Sequence, residues 1–488
     1  MALTQVPNEL LEIGVKAFGT SSFMIGDTTT GTIDAANYNT GVGVDVFAAL
    51  TSGDGNSAFG TFALNANTTG SNNTALGYGA LFSTSTGGEN TAIGYGALLA
   101  NTTASDNTAV GYNTMNANTT GNRNTAVGRR ALVANTTGSN NEAFGRHALE
   151  SNTTGSYNCG LGRGALNLNT TGNYNVAVGY AALGANTSGV SNTAVGYGAL
   201  DAAASNNNTA VGRDALGACT TGGHCTAVGL NALKTSTTTS DNTAFGSGAG
   251  LSNTGDSNTM IGRAAMENAT SGIHNAALGM SSGLSTTTAS YSTLVGRNAG
   301  YDQTTGGYNV MVGYNANPST ATGQVQIAIG YGCKNAYGNY SVTLGAGTGS
   351  DRIYNRFDTN ASWTRVSDVR YKEEIQDNTD CGLNFINDLR PVTFKWKPKS
   401  EIDNTLPDYN ENETTRKTEE KMYGLIAQEV KQAMDDNNIT DFGGWAETKE
   451  GIESISQEMF VHPLIKAVQE LSAKVDSLQN EINILKGE

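Results

Sequence analysis

Charge is scarce in this sequence. Only 15% of its 488 residues are Asp, Glu, Lys or Arg, and they leave a formal net charge of −15. So few cations in an acidic balance give no electrostatic hold on nucleic acid. Proline is rare, with 6 residues beside 62 glycines, which is the usage of a turn-rich β-protein and not of a disordered proline-rich chain. The five cysteines, Cys159, Cys219, Cys225, Cys333 and Cys381, are odd in number and scattered, so no disulfide framework is expected. Histidines number 4, and the nearest approach to a ligand set, Cys219 with His224 and Cys225, has no zinc spacing. We therefore read no metal site and no cofactor. No apolar run is long enough to cross a membrane as a helix. The opening residues Met1 to Leu11 lack a positive end followed by an apolar core, so we expect no secretory signal, no membrane insertion and folding in a cytoplasm.

What the chain has is a repeat. The motif Asn124-Thr125-Ala126-Val127-Gly128 recurs 20 times between Gly26 and Gly345, and 16 of the 19 intervals are 17 residues. A fixed short period predicts a solenoid, each repeat one coil stacked on the last. The residue before the Gly is large and apolar in all 20 copies, and the one before that is usually Ala. Neighbours on a strand face opposite ways, so both faces must be covered. One fills the coil and the other needs cover from outside, most simply another chain. Small Ala admits a close backbone, so the neighbour is expected on its side, and an aspartate at Val178 is expected to be buried. A second apolar position, such as Leu132 or Leu149, follows the Gly by four residues. With polar connectors such as Asn135-Thr136-Thr137-Gly138, one coil reads as strand, bend, short strand, turn. At ~4.8 Å per coil the stack would reach roughly 95 Å. From Gly246 onward the second position decays to Gly250, Gly300, Asn317 and Lys334, so the distal coils are expected to pack differently.

The motif's Asn, present in 15 of 20 copies, fits either a buried ladder or a turn. The Asn-Thr-Thr triplets match the glycosylation sequon and read as turn chemistry. The residue after the Gly is Tyr78, Tyr95, Tyr112, Arg129, Arg146, Arg163, Tyr180, Tyr197 and Arg213, then Tyr314 and Tyr331. A ladder of stacked Tyr and Arg is the favoured reading, and sugar-binding by exposed rings the other. Tyr354, Phe357 and Trp363, in the segment 346–366, are candidate receptor contacts.

Beyond residue 366 the chain turns acidic. Residues 367–488 carry 25 acidic and 14 basic side chains, against 18 and 14 in the whole of 1–366. Arg390 to Trp396 reads as a strand, and Tyr423 to Val430 as a strand edge entering a helix. Val461, Leu464, Val468, Leu471, Val475, Leu478, Ile482 and Leu485 form a strict heptad, a short coiled coil.

The repeat resembles the head of trimeric autotransporter adhesins, through stretches such as Asn192-Thr193-Ala194-Val195-Gly196, which implies a left-handed parallel β-roll that trimerises. The end of the chain resembles the peptidase S74 intramolecular chaperone of phage tail spikes and fibres. Four features carry this likeness: Ser367-Asp368-Val369-Arg370-Tyr371-Lys372, Leu389-Arg390-Pro391-Val392, Gly424-Leu425-Ile426-Ala427-Gln428-Glu429-Val430, and the terminal coil. The resemblance implies a chaperone that trimerises the fibre and then cuts itself off between Val366 and Ser367, with Ser367 as nucleophile and Lys372 as base. A serine hydroxyl needs such a base, and lysine serves only when burial or a neighbouring cation leaves it neutral.

The fold class expected is mainly β. A trimeric parallel β-solenoid of about 17-residue repeats precedes a smaller α+β chaperone domain ending in a coiled coil. Residues 1–20 form an attachment or capping segment, 21–345 the shaft, 346–366 a distal tip, and 367–488 the chaperone with its coil at 460–486. The function expected is a homotrimeric phage tail fibre, assembled in the host cytoplasm. Its N-terminus meets a tail or baseplate protein, and it binds a host-surface glycan or protein. The alternatives are an enzymatic tail spike that degrades polysaccharide and a bacterial trimeric surface adhesin. The first needs paired carboxylates or a histidine-centred site, and the repeat region holds no recurring pair.

Overall fold

The computed structural model describes residues 15–26, 35–202, 205–335, 338–348, 351–356, 364–365, 375–404, 409, 411–412, 414, 421–447 and 451–487. Two compact units divide the chain, the first ending at Ser367 and the second beginning at Asp368.

In the first unit each copy of the motif is a strand. These strands pair in parallel, each with the copy before and the copy after, from Ser22–Gly26 to Ser341–Gly345. The protein is a mainly β, parallel β-solenoid. Like residues lie on like: Thr125 faces Thr108, Ala126 faces Ala109 and Val127 faces Val110. A shortened repeat does not break this register, since Ala194 still faces Ala210. The motif's Gly has a steric reason. Gly128 has φ 136°, and a Cβ there would lie 2.6 Å from the carbonyl oxygen of Gly145 in the next coil.

Two expectations are corrected. Among the described residues no second strand forms after the Gly, only an isolated parallel bridge between Asn317 and Lys334; the later apolar residue sits in a run of turns. Arg130 (φ 61°) and Leu132 (φ 51°) are left-handed on either side of Ala131, and Leu81, Leu98, Leu149 and Leu166 repeat the conformation. A left-handed residue costs about 1–2 kcal/mol. Burying a whole leucine returns about 1.5–3 kcal/mol, and Leu132 is fully buried. The faces of the motif strand are also exchanged. Ala126, Ala143 and Ala177 point inward and are fully buried. Val127 and Val178 face out and are half-buried, while Leu76 and Phe245 are 49% and 56% exposed. The interior wants the small residue because the chain's own leucine fills it: a Cβ on Gly160, which replaces the Ala, would touch Leu149 Cδ1 at 3.5 Å.

The motif's Asn is a buried ladder. Asn124 Oδ1 accepts the Asn141 N–H at 2.9 Å and the Asn141 Nδ2 at 3.2 Å, while Asn124 Nδ2 donates to the Gly138 carbonyl at 2.9 Å. The Asn of the Asn-Thr-Thr triplets forms a second ladder, in which Asn135 Nδ2 donates to Asn118 Oδ1 at 2.8 Å and Asn152 Nδ2 to Asn135 Oδ1 at 2.8 Å. These sequon amides are fully buried, which withholds them from glycosylation in the folded rod. Buried amides need such partners, and here each coil supplies them to the next.

The distal coils do repack. A Cβ on Gly250 would meet Met260 Sδ at 2.6 Å, and one on Gly300 would meet Leu294 Cδ2 at 2.6 Å. Where the turn loses its leucine, the strand's inner residue grows from Ala to Met or Leu and fills the same space. Both ends of the ladder are covered by antiparallel strands. Val15–Phe18 pairs with Ser22–Gly26, and Phe18 packs edge-on to Phe47 at 6.5 Å. Arg352–Arg356 pairs with Ser341–Gly345 and carries Thr364–Arg365 on its other side. An unprotected parallel edge would invite further strands. The described part of the N-terminal segment, from Val15, is thus a cap; residues 1–14 lie outside the described residues.

The second unit contains helix α1 (Leu383–Asp388), an antiparallel pair Val392–Phe394 with Met422–Gly424, helix α2 (Ala427–Asp436), a hairpin Trp445–Glu447 with Glu453–Ile455, and helix α3 (Val461–Lys486). The strand and strand-into-helix expected from sequence are both present. Phe385, Val430, Ala433, Met434 and Phe442 form its core, with Phe385 and Phe442 edge-on at 5.4 Å.

Candidate functional site

The second unit ties its conspicuous sequence segments together. Arg390, from the Leu389-Arg390-Pro391-Val392 segment, forks onto Glu429 of α2, with Nε to Oε2 at 3.0 Å. The pair is exposed. Its hydrogen bonds to Arg390 hold the Glu429 carboxyl below the ordinary carboxylate range and raise the Arg390 guanidinium further. Glu470 on α3 accepts the Leu383 N–H at 2.7 Å, so a carboxylate of the terminal helix caps the start of α1. That bond and the packing of α1 on α3 fix where the terminal helix leaves the module.

Along α3 the heptad residues are uncovered. Val468, Leu471, Val475 and Leu478 are 51–58% exposed, forming a continuous apolar seam. The residues expected at the cleavage site, Val366, Ser367 and Lys372, lie outside the described residues, as do Phe357 and Trp363. Tyr354 is described. It is half-buried in the capping strand Arg352–Arg356, opposite Thr343, and belongs to the antiparallel cover of the last coil.

On the rod, the residue after each Gly builds the expected ladder. Tyr78 and Tyr95 stack at 5.1 Å, Tyr95 and Tyr112 at 5.4 Å, and Arg129 lies over Tyr112 at 5.9 Å. Tyr180 and Tyr197 stack at 5.1 Å, with Arg163 over the outer face of one and Arg213 over that of the other. The ring faces of that pair are spent on one another and on the two arginines, so sugar-stacking on them is not open. Cys219 and Cys225 stand in the Asn ladders: Cys219 Sγ donates to the Gly222 carbonyl at 3.3 Å, as the ladder amides do to theirs. Burial pushes both thiols up, Cys225 to about 11. His224 beside them is exposed while Cys225 is buried, so the two face opposite ways.

Sequence reasoning missed the second amide ladder, although Asn101, Asn118, Asn135, Asn152, Asn169 and Asn186 recur at the same strict spacing as the motif. It also missed a lateral groove near Tyr180, which depends on which residues are small in neighbouring coils.

Residues 367–439 match the family model of the chaperone of endosialidase, peptidase S74. The chain carries a C-terminal chaperone of the endosialidase type. That match takes in Arg390 and Glu429, so the ion pair joining them belongs to the matched segment. Neither a curated protein nor a solved structure matches the chain. A parallel β-solenoid followed by this chaperone fits a phage tail fibre or tail spike.

Proposed function

We propose that the protein is a homotrimeric phage tail fibre that attaches a virion to its host. Its C-terminal chaperone drives trimerisation and then releases itself by cleavage between Val366 and Ser367. One observation carries the reading: a single chain leaves apolar seams bare on both units. The row of residues before each Gly runs outside the rod, with Phe59, Leu76, Phe144, Leu161, Phe245 and Ile261 all exposed. The heptad of α3 is bare in the same way. Soluble proteins rarely leave contiguous apolar strips uncovered, and a rod in perfect register with itself offers every copy the same strip. Neighbouring copies of this chain are the simplest cover, and the chaperone match and the resemblance to adhesin heads support three of them.

In the cleavage step the Ser367 hydroxyl attacks the carbonyl of Val366 while Lys372 takes its proton; the Val366–Ser367 C–N bond breaks as that proton passes to the Ser367 nitrogen, and water then hydrolyses the resulting ester to free the Val366 carboxylate. Lys372 takes the proton only once assembly has buried it or set a cation beside it, which would couple cutting to correct folding. Light scattering of the purified fibre should give three times 50.5 kDa before cleavage. N-terminal sequencing of the small fragment should begin at Ser367, and Ser367→Ala or Lys372→Ala should each leave an intact trimer. A stable monomer or dimer would overturn the assembly. A wild-type chain that stays whole would remove the catalytic role of Ser367.

A further inference from the structure

Two cavities on the side of the solenoid join into one groove. The first, about 450 Å3, is lined by His147, Glu150, Arg163, Asn167 and small residues such as Gly164 and Gly184. The second, about 350 Å3, is lined by Tyr197, Asp214, Lys234, Gly198 and Gly217 among others. Tyr180, Ala181 and Asp201 line both, so the groove is continuous across several coils. No residue of the outer apolar row lines either cavity.

The groove is a local departure from the repeat. Two rows form its floor and wall, two and five residues after each Gly. Elsewhere the second row is bulky and apolar at Phe82, Leu99, Val133, Leu251 and Leu284, and polar at Asn65, Asn116 and Glu267. Leu99 reaches back over the floor at Gly79, and Phe82 packs edge-on to Phe62 at 6.0 Å. Between Gly145 and Gly229 the rows hold Gly164, Ala181, Gly184, Gly198 and Gly217 instead, with polar side chains set among them.

The polar groups are balanced in sign and mostly neutralised. Glu150 meets Arg130 at 3.0 Å and His147 at 2.8 Å. Asp214 meets Lys234 at 3.3 Å. Asp201 differs: among the described residues it has no ion pair, and it stands where the two cavities meet. It is half-buried, and burial and the nearby Asp214 raise its carboxyl above the ordinary range, against a lowering hydrogen bond from Gly184. A balanced groove does not favour a strongly anionic or cationic polymer. It offers donors and acceptors to a chain of neutral hydroxyl groups, with Asp201 as a carboxylate acceptor outside any ion pair among the described residues and the edges of Tyr180 and Tyr197 as a wall. The coil spacing of ~4.8 Å matches the length of about one sugar unit, so successive coils can meet successive sugars.

We propose that this groove binds a neutral glycan chain along the rod, with Asp201 accepting from sugar hydroxyls. The proposal rests on the host-attachment reading and locates its ligand. The test is a microarray of neutral and anionic bacterial polysaccharides, probed with the trimeric fibre, its Asp201→Leu variant and its Gly217→Leu variant. Both variants place at the second row the leucine that the repeat already carries at Leu99 and Leu251, so the coil should form. Circular dichroism and light scattering check that it does. The wild type should retain at least one neutral glycan, and each variant should lose about tenfold or more of that binding, the loss of a charge-assisted hydrogen bond or of the space. Asp201→Asn, which keeps an acceptor, should lose less. Wild type that binds no glycan, or only anionic ones, overturns the proposal, and so does binding unchanged in the leucine variants. Adsorption to the bacterium that the virion infects separates the two readings: adsorption that survives Asp201→Leu sinks the groove and leaves host attachment standing, whereas wild type that does not adsorb sinks attachment itself.

Discussion

At the scale of single residues, the rod is held by amides that no solvent reaches. Removing one has a calculable cost. Asn124→Ala orphans the Asn141 N–H, which that side chain alone serves, while the Gly138 carbonyl loses one of its two amide donors and keeps Asn135 Nδ2 at 2.9 Å. A buried orphan costs about 1–3 kcal/mol, so the variant rod should melt several degrees lower, with its far-ultraviolet spectrum unchanged below the transition. Equal melting temperatures would mean that water replaces the amide. Cys225 offers a pH test. Its thiol is raised to about 11 by burial, so its contribution to stability is complete below the ordinary thiol range, about 8.5. It is lost as pH rises from there through about 11. Cys225→Asn restores the repeat's usual residue and should flatten the decline in melting temperature between pH 9 and 11. A decline of the same slope would assign it to other groups.

The exchange of faces at Ala and Val shows what periodicity can and cannot convey. Alternation says that neighbouring residues point opposite ways. It does not say which way is in, because that depends on volume supplied elsewhere in the same coil. Leu132 and its equivalents fill the interior, so only Ala fits beside them. The decay at Gly250 and Gly300 with the growth of Met260 and Leu294 was the one clue in the sequence that these positions share a space. Consequently Val178→Asp should spare the coil. One chain leaves that side chain half-exposed, so the variant should fold and fail to assemble. Aggregated protein without β-structure would return Val178 to the interior.

At the scale of elements, strands were more legible than turns. The motif strands and their register follow from like residues meeting at a constant interval. The run of left-handed turns does not, since leucine is a poor marker for positive φ and only tertiary burial compensates it. In the second unit the strand at Val392–Phe394 and the entry into α2 were readable, while the Glu470 cap on α1 joins residues 87 apart and leaves no local trace. The heptad of α3 was plain in sequence, and its exposure is the reason to expect partners. Leu471→Glu should weaken assembly without unfolding the module, because that side chain touches solvent in one chain. Full-length trimers at unchanged yield would show that α3 is not an assembly element. The expected cleavage residues fall outside the described residues, so Ser367 and Lys372 stand on motif and resemblance.

At the scale of the whole molecule, no strand pairing among the described residues of the solenoid skips a coil. Each strand meets the copy before and the copy after, and only the two ends differ. Excising residues 112–128, one complete interval, would bring Gly111 into the place of Gly128 with every ladder partner renewed. Such a protein should be soluble, should assemble to the same stoichiometry as the full chain, and should lose a modest share of its melting temperature, as nearest-neighbour arrays do. Collapse of the shortened chain would show that coils are not interchangeable. If they are, the length of this rod is an integer. A lineage could lengthen or shorten its grasp by duplicating or dropping one short stretch of gene, in steps of ~4.8 Å, while the parts at either extremity went on meeting the same neighbours.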